Sequence, residues 1–319
     1  GFARTFQCSG TAPGNVAHIS FPLGIHPAGH MWARSARILG IGAVWGGAGA
    51  ALPSAAQLDL IQDLKPTIWM GMSSYGLHLA NMASASGVNL KGGSVNRILC
   101  TAEPVSAAKR AKLERDWGAD VYDCFGMTEC SMMGAESEMR DGFHIWTDLA
   151  YIEVLNEQTM KPVAEGEPGV LVMTPLFSNN GAAFLRWNSG DIVTWKREGD
   201  TNSPFRVFPV IRHAHRTAGF FKFRGVNINH QEYEDFVFEM PNINDFKAEL
   251  VSLADGTDGF VVSIEISHDA EADPVIEKLA TETKRVFEVT PSIEVLRIGT
   301  LAAEFESSVK APRFADRRQ

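Results

Sequence analysis

A chain of 319 residues with 45% hydrophobic and 21% charged residues has the composition of a globular protein of about two domains, which excludes a disordered, collagenous or coiled-coil chain. The formal net charge of −9 argues against a nucleic-acid partner held on a broad basic surface. The four cysteines, Cys8, Cys100, Cys124 and Cys130, form no C-x-x-C pair, so neither a zinc ribbon, a redox motif nor a disulfide scaffold is indicated, and a reducing, cytoplasmic setting is expected.

No apolar run reaches the length of about 18 residues that a membrane span needs. The stretch Gly1 to Phe6 lacks the basic start and apolar run of a signal peptide. The missing initiator Met and a start in mid-pattern predict that the protein begins upstream of this chain. From there strand and helix alternate. Residues 15–22 read as a strand, 28–40 as a helix ending at Gly40, and 41–45 as a strand closed by Gly46-Gly47-Ala48-Gly49. A helix from Ser54 to Leu64, a strand over 66–70 and a helix from Ser73 to about Ser86 follow. Then come a strand over 96–100, an amphipathic helix from Pro104 to Trp117 and a strand over 119–122. This order predicts a parallel α/β layer. Beyond about residue 150, the segments 151–155, 169–174 and 191–195 alternate like antiparallel strands. The last hundred residues give a strand (259–267), a helix (about 273–287) and a strand (292–299), a small α+β unit, with a basic tail from Lys310 that reads as a loop.

Four segments concentrate polar chemistry. In Tyr122-Asp123-Cys124-Phe125-Gly126-Met127-Thr128-Glu129 a strand is expected to end in a Gly turn, leaving a hydroxyl beside a carboxylate. Ligands gather beyond the carboxyl ends of parallel strands, where a Thr can bond a phosphate oxygen and a Glu is a hard oxygen donor suited to Mg²⁺. The same residues also fit a plain turn followed by a helix start. Arg186 to Asp191 ends in an acid able to accept from ribose hydroxyls, and equally fits an Asx turn between strands. Arg212-His213-Ala214-His215-Arg216 is a charge run of the kind usually solvated; His213 and His215 lack a third convergent ligand for a metal. Lys310 lies in a basic tail.

Together these segments resemble the adenylate-forming acyl-CoA synthetase superfamily, and best its phenylacetate–CoA ligase-like branch. Thr101-Ala102-Glu103-Pro104 is similar to that branch's Gly-Ala-Glu-Pro turn, and Phe125-Gly126-Met127-Thr128-Glu129 to its Tyr-Gly-Leu/Met-Thr-Glu motif. Asp141 to Trp146, Arg186 to Asp191, Arg224 to Ile228 and Lys310 to Arg318 match further segments in order. The resemblance implies an α/β fold: a large N-terminal adenylate-forming domain, a parallel layer plus a smaller β subdomain, over 1–216, and a small mobile α+β C-terminal lid over 217–319. It implies an ATP-dependent acid–CoA ligase that makes an acyl-adenylate from a carboxylic acid, aromatic by expectation, and passes it to CoA. Two alternatives remain open: an adenylating enzyme with a non-CoA acceptor, and a non-catalytic nucleotide- or acyl-binding module.

The resemblance also implies roles. Ser9, Gly10 and Thr11 look like the start of the loop that holds the β/γ-phosphates; the second Thr, Gly and Lys of that loop do not follow, which predicts a segment missing between Thr11 and Ala12. Ala102, Glu103, Pro104, Asp123, Cys124, Phe125, Gly126 and Met127 would border AMP, with Thr128 on the α-phosphate and Glu129 holding Mg²⁺. Asp191 would bind the ribose, with Arg212 or Arg216 nearby. Lys310 would reach the α-phosphate and substrate carboxylate in one domain arrangement. Rotation about 217–219 would withdraw it and bring Arg224 and Gly225 to the CoA arm. Phe21, His26, Ser74 and Tyr75 would line the acyl pocket. ATP, Mg²⁺ and CoA are the implied cofactors. Ser137 stands where relatives carry a Cys, so structural zinc is not expected. The partners are small molecules, with neither nucleic acid nor membrane, and a homodimer is possible.

Overall fold

A computed structural model describes residues 1–24, 28–177, 181–198, 203–216, 219–253, 257–304 and 312–318, with the backbone alone at 214–216. The elements are α1 (Phe2–Cys8), β1 (Val16–Ile19), α2 (Ala28–Ile38), β2 (Gly42–Trp45), α3 (Ser54–Leu64), β3 (Ile68–Gly71), α4 (Ser73–Ala85), β4 (Arg97–Cys100), α5 (Ala107–Trp117) and β5 (Asp120–Met127). Six further strands complete the main sheet: β6 (Ser131–Glu136), β7 (Phe143–Ile145), β8 (Ala150–Leu155), β9 (Gly169–Pro175), β10 (Trp187–Lys196) and β11 (Val210–Arg216). The C-terminal part holds β12 (Phe220–Phe223), β13 (Val226–Asn229), α6 (His230–Glu239), β14 (Ile243–Ser252), β15 (Asp258–Ile266), α7 (Ala272–Phe287), β16 (Ser292–Leu296) and β17 (Phe314–Asp316).

The 11-stranded sheet runs β2-β1-β3-β4-β5-β6-β7-β11-β10-β9-β8. It is parallel through β5 and antiparallel from β6 on, so the change expected near residue 150 begins earlier, at residue 131. Strand side chains alternate between two faces. Trp69, Ile98, Cys100 and Val121 meet Leu58, Leu77, Leu113 and Trp117 from α3, α4 and α5 on one face. Ile19, Ile68, Met70 and Leu99 meet Phe6 of α1 and Trp32 of α2 on the other. All four cysteines are buried free thiols.

Two expectations are corrected. Residues 120–127 form one continuous strand that passes through Gly126 with a register shift at Phe125/Gly126, and Thr128-Glu129 sit on the β5–β6 hairpin turn rather than at a helix start. The tail is not all loop, because Phe314–Asp316 pairs in parallel with β14. That places β17 at the edge of a second sheet, β16-β15-β14-β17, beside the separate hairpin β12-β13. The apolar core around α4 and α5 runs on without a break into this C-terminal part, through Tyr233, Val237, Phe238 and Phe246. Among the described residues no helix is long and apolar enough to cross a membrane.

Candidate functional site at the carboxyl edge of the sheet

The loop leaving β4 is fastened from two sides. Thr101 Oγ1 donates to Cys124 O at 2.6 Å, tying it to β5. Glu103 accepts from Ser73 Oγ at 2.5 Å, from Ser74 Oγ at 3.0 Å and from Ser74 N–H. Those donors open α4, where free N–H groups and the helix dipole favour an anion. Burial would raise the Glu103 carboxyl, but Lys109, Arg313 and the serine bonds hold it below the usual range. Both Glu103 oxygens therefore serve α4, while Ala102 and Pro104 stay exposed at the edge.

Asp123 lies enclosed beneath this loop. Its Oδ1 accepts from Cys124 N–H at 2.8 Å, and its own N–H donates to Glu136 Oε2 at 2.7 Å. Burial, then the Glu136 carboxylate, push the Asp123 carboxyl well above its ordinary value. Glu136 is clamped by Arg110 of α5, with both oxygens 2.8 Å from NH2, and Arg110 also donates to Val121 O. The strand then reaches its turn. Cys130 N–H donates to Met127 O at 3.2 Å, Thr128 is exposed and Glu129 half-buried. Phe125 and Met127 share one apolar cluster with Val193 and Ile211, which brings the end of β5 and the β10–β11 pair onto a common core. The Cys124 thiol is buried and driven well up, so it is inert.

On β10, Asp191 is 4% exposed and takes a hydrogen bond from His213 Nε2 at 3.2 Å. Sequence reading took His213 as part of a solvated charge run lacking a third ligand for a metal; the structure makes it the partner that orients Asp191. The only sequence signal for it was the β10–β11 pairing itself, which faces residues separated along the chain. Arg212 is not part of this pair: its Nε donates to Asp141 O at 2.6 Å. Arg216 is the backbone partner of Asp191, and its side chain is outside the described residues.

Several expected site residues lie elsewhere. Ser9-Gly10-Thr11 ends α1: Thr11 N–H returns to Phe6 O and Gly10 N–H to Gln7 O, both at 3.1 Å, with Gly10 at φ +69°. That is a Schellman helix stop, for which glycine is favoured at the left-handed position. Both hydroxyls donate to Phe6 O, and Ser9 O accepts from Arg97 at the amino end of β4, the opposite edge from the 101–105 loop. Here the Ser-Gly-Thr segment forms a helix cap. Ala12 and Asn15 bond each other in a turn that leads into β1.

The acyl-pocket set is divided by the sheet. Phe21 stacks on Trp32 in one core, whereas Tyr75 bonds Ser54 Oγ at 2.9 Å within the other. Ser74 stands at the Glu103 end of α4, and His26 is outside the described residues. Arg224 (φ +49°) and Gly225 (φ +87°) form the two-residue turn of the β12–β13 hairpin, a type I′ geometry. A side chain added at Gly225 would meet nothing within 4 Å, so the tip is open to an approaching ligand. Lys310, and 217–218 of the expected hinge, lie outside the described residues. A cleft of about 740 Å³ opens between α6 and α7, but none of the expected site residues lines it.

Residues 7–175, more than half of the chain, match the family model described as AMP-binding enzyme, and the chain belongs to that family. It is 28% identical over 76% of its length to a phenylacetate-coenzyme A ligase of Thermus thermophilus, of which it spans only 54%, about half. It is 26% identical over 99% of its length to the enzyme of that name from Aromatoleum evansii, spanning 72% of it. Among solved structures it is similar to 2-hydroxyisobutyryl-CoA ligase. At 26% identity it covers 99% of this chain and 68% of that one, with a TM-score of 0.84 to the postadenylation state in complex with 2-HIB-AMP. The same ligase gives 0.65 in the thioesterification state with 2-HIB-AMP and CoA, and 0.63 in an open conformation.

Proposed function

We propose that the protein is an ATP-dependent acid–CoA ligase that makes an acyl-adenylate and transfers the acyl group to CoA. The observation that carries this reading is the likeness, over nearly the whole chain and at 26% identity, to a ligase captured with its acyl-adenylate. Ala102 and Pro104, on a loop fixed to β5 and α4, would border the adenine. The exposed Thr128 hydroxyl would bond the α-phosphate, and Asp191, held by His213, would accept from the ribose hydroxyls. Such a site works by positioning and charge neutralisation. Mg²⁺ is usually held by one or two carboxylates together with substrate phosphates. Glu129, a carboxylate at the turn beside Thr128, fits that use; among the described residues no group of three or more His, Cys, Asp or Glu side chains is gathered for a metal. The ion would neutralise phosphate charge. Lys310 would act in adenylation, and the open tip at Arg224 and Gly225 would face CoA.

An aromatic acid is the proposed substrate, on the strength of the relatives named phenylacetate-coenzyme A ligase. The test is incubation with ATP, Mg²⁺ and a panel of aryl, alkyl and branched hydroxy acids, with and without CoA, following AMP and thioester by mass spectrometry. Acyl-CoA from an aryl acid is expected. Acyl-adenylate without thioester points to another acceptor, and nucleotide binding without AMP formation to a binding module. Lys310→Ala is expected to abolish adenylate formation while sparing thioester formation from supplied acyl-adenylate; equal loss of both counts against its assignment.

A further inference from the structure

Between the 101–105 loop and the C-terminal part lies a chain of buried charge. Lys109 of α5, its side chain 1% exposed, pairs with Glu234 of α6 at 2.9 Å and donates to Pro104 O at 3.3 Å. Glu234 also pairs with Arg313 at 3.1 Å, and Arg313 with Asp245 of β14 at 3.0 Å. Glu103 lies within electrostatic reach of both Lys109 and Arg313. Beside them Lys112 Nζ donates to Ile243 O at 2.7 Å and Asn244 O at 2.6 Å. The signs do not balance on either side alone. The α5 side holds Glu103, Lys109 and Lys112, one positive charge in excess. The C-terminal side holds Glu234, Asp245 and Arg313, with the buried Glu265 in electrostatic reach of Arg313, so negative charge is in excess there. Breaking a buried ion pair leaves uncompensated charge in a poorly solvated place, which is strongly unfavourable.

We propose that Lys109 is a positioning residue that couples the 101–105 loop to the seating of the C-terminal part, through a charge chain whose opposite excesses meet only while that part rests on α4 and α5. This rests on the ligase reading in one respect: the arrangement held is the one scoring 0.84 against the postadenylation state, and 0.65 against the thioesterification state, of the related ligase. The chain then favours the half-reaction that makes acyl-adenylate, and must open before CoA is used.

Seating is read without any substrate from the distance between spin labels on Glu157→Cys and Lys278→Cys, both exposed, by pulsed electron resonance. The unaltered interface is expected to give one narrow distance. Lys109→Gln and Glu234→Gln should each add a second population, shifting the ratio by about 10-fold. The double variant removes one charge of each sign and should recover much of the single distance. If a single variant fails to fold by circular dichroism, folding of the double variant is the same rescue. One unchanged distance in every variant, or a double variant at least as disturbed as the singles, overturns the proposal. In half-reaction assays the single variants should slow adenylate formation about 10-fold and leave thioester formation from supplied acyl-adenylate at or above the original rate. Equal loss in both overturns the coupling. If the unaltered protein makes neither product, the ligase reading fails while the distance result still decides the seating.

Discussion

Asp191 shows what a single residue contributes here. The buried Asp191 carboxylate is kept in place by His213, and under the ligase reading it would accept from the ribose hydroxyls of AMP. Asp191→Ala is expected to weaken AMP binding by about 10- to 100-fold, the range for hydrogen bonds to an ionised group, and His213→Ala to weaken it less; calorimetric titration measures both. Lys112 gives a pH dependence. Burial lowers its ammonium from 10.5 to about 8, against the pull of Asp245. Below the folded value the cost of burying the charge is constant. As pH rises from about 8 to 10.5 the unfolded chain binds the extra proton, so stability rises. The stability of the unaltered protein relative to Lys112→Met, from urea unfolding, should therefore improve across that window; a flat difference refutes it. At this scale the positions of Thr128 and Ala102, at a turn and on a loop, were legible in the sequence, and the structure has them there; their roles are those proposed above. The helix cap formed by Ser9-Gly10-Thr11 was not foreseen. Partners supplied from another element, such as Arg110, Lys109 and Glu136, left no local mark.

Among elements, the parallel strands and the helices α2 to α5 follow from periodicity and agree with it closely. What escaped was set by pairing. β14 does alternate, with Phe246, Ala248 and Leu250 inward between charged residues, and period-two reading had the means to find it. β17 is only three residues long and exists because β14 offers an edge. The continuity of β5 through Gly126 likewise depends on β6 lying beside it. The element most exposed to a single change is α5, which reaches β5 and β6 through Arg110. Arg110→Met leaves Glu136 next to the Asp123 carboxyl with its cation removed, and should cost about 3 kcal/mol, as expected for breaking a largely buried pair. Chemical denaturation measures it, and a change near zero would show that Glu136 is held by something else.

At the scale of the whole molecule, the sheet and the C-terminal part share one apolar core from Trp69 and Leu113 to Tyr233 and Phe246. Surface shared in this way couples the stability of its two sides, so calorimetry should show one unfolding transition. Two resolved transitions would mean that the seat between them is weak. The resemblance implied a boundary at 216/217, but the apolar face that closes over α4 and α5 was not legible, because it belongs to neither part alone.

The four cysteines carry a further consequence under the ligase reading. All are buried; burial raises Cys8 to about 12 and Cys130 to about 11, and drives Cys100 and Cys124 well up. An acyl-adenylate is an electrophile awaiting sulfur, and any thiolate within reach would intercept it. Under that reading the four thiols of this chain, buried and held protonated, would not compete with the incoming thiol for the acyl group.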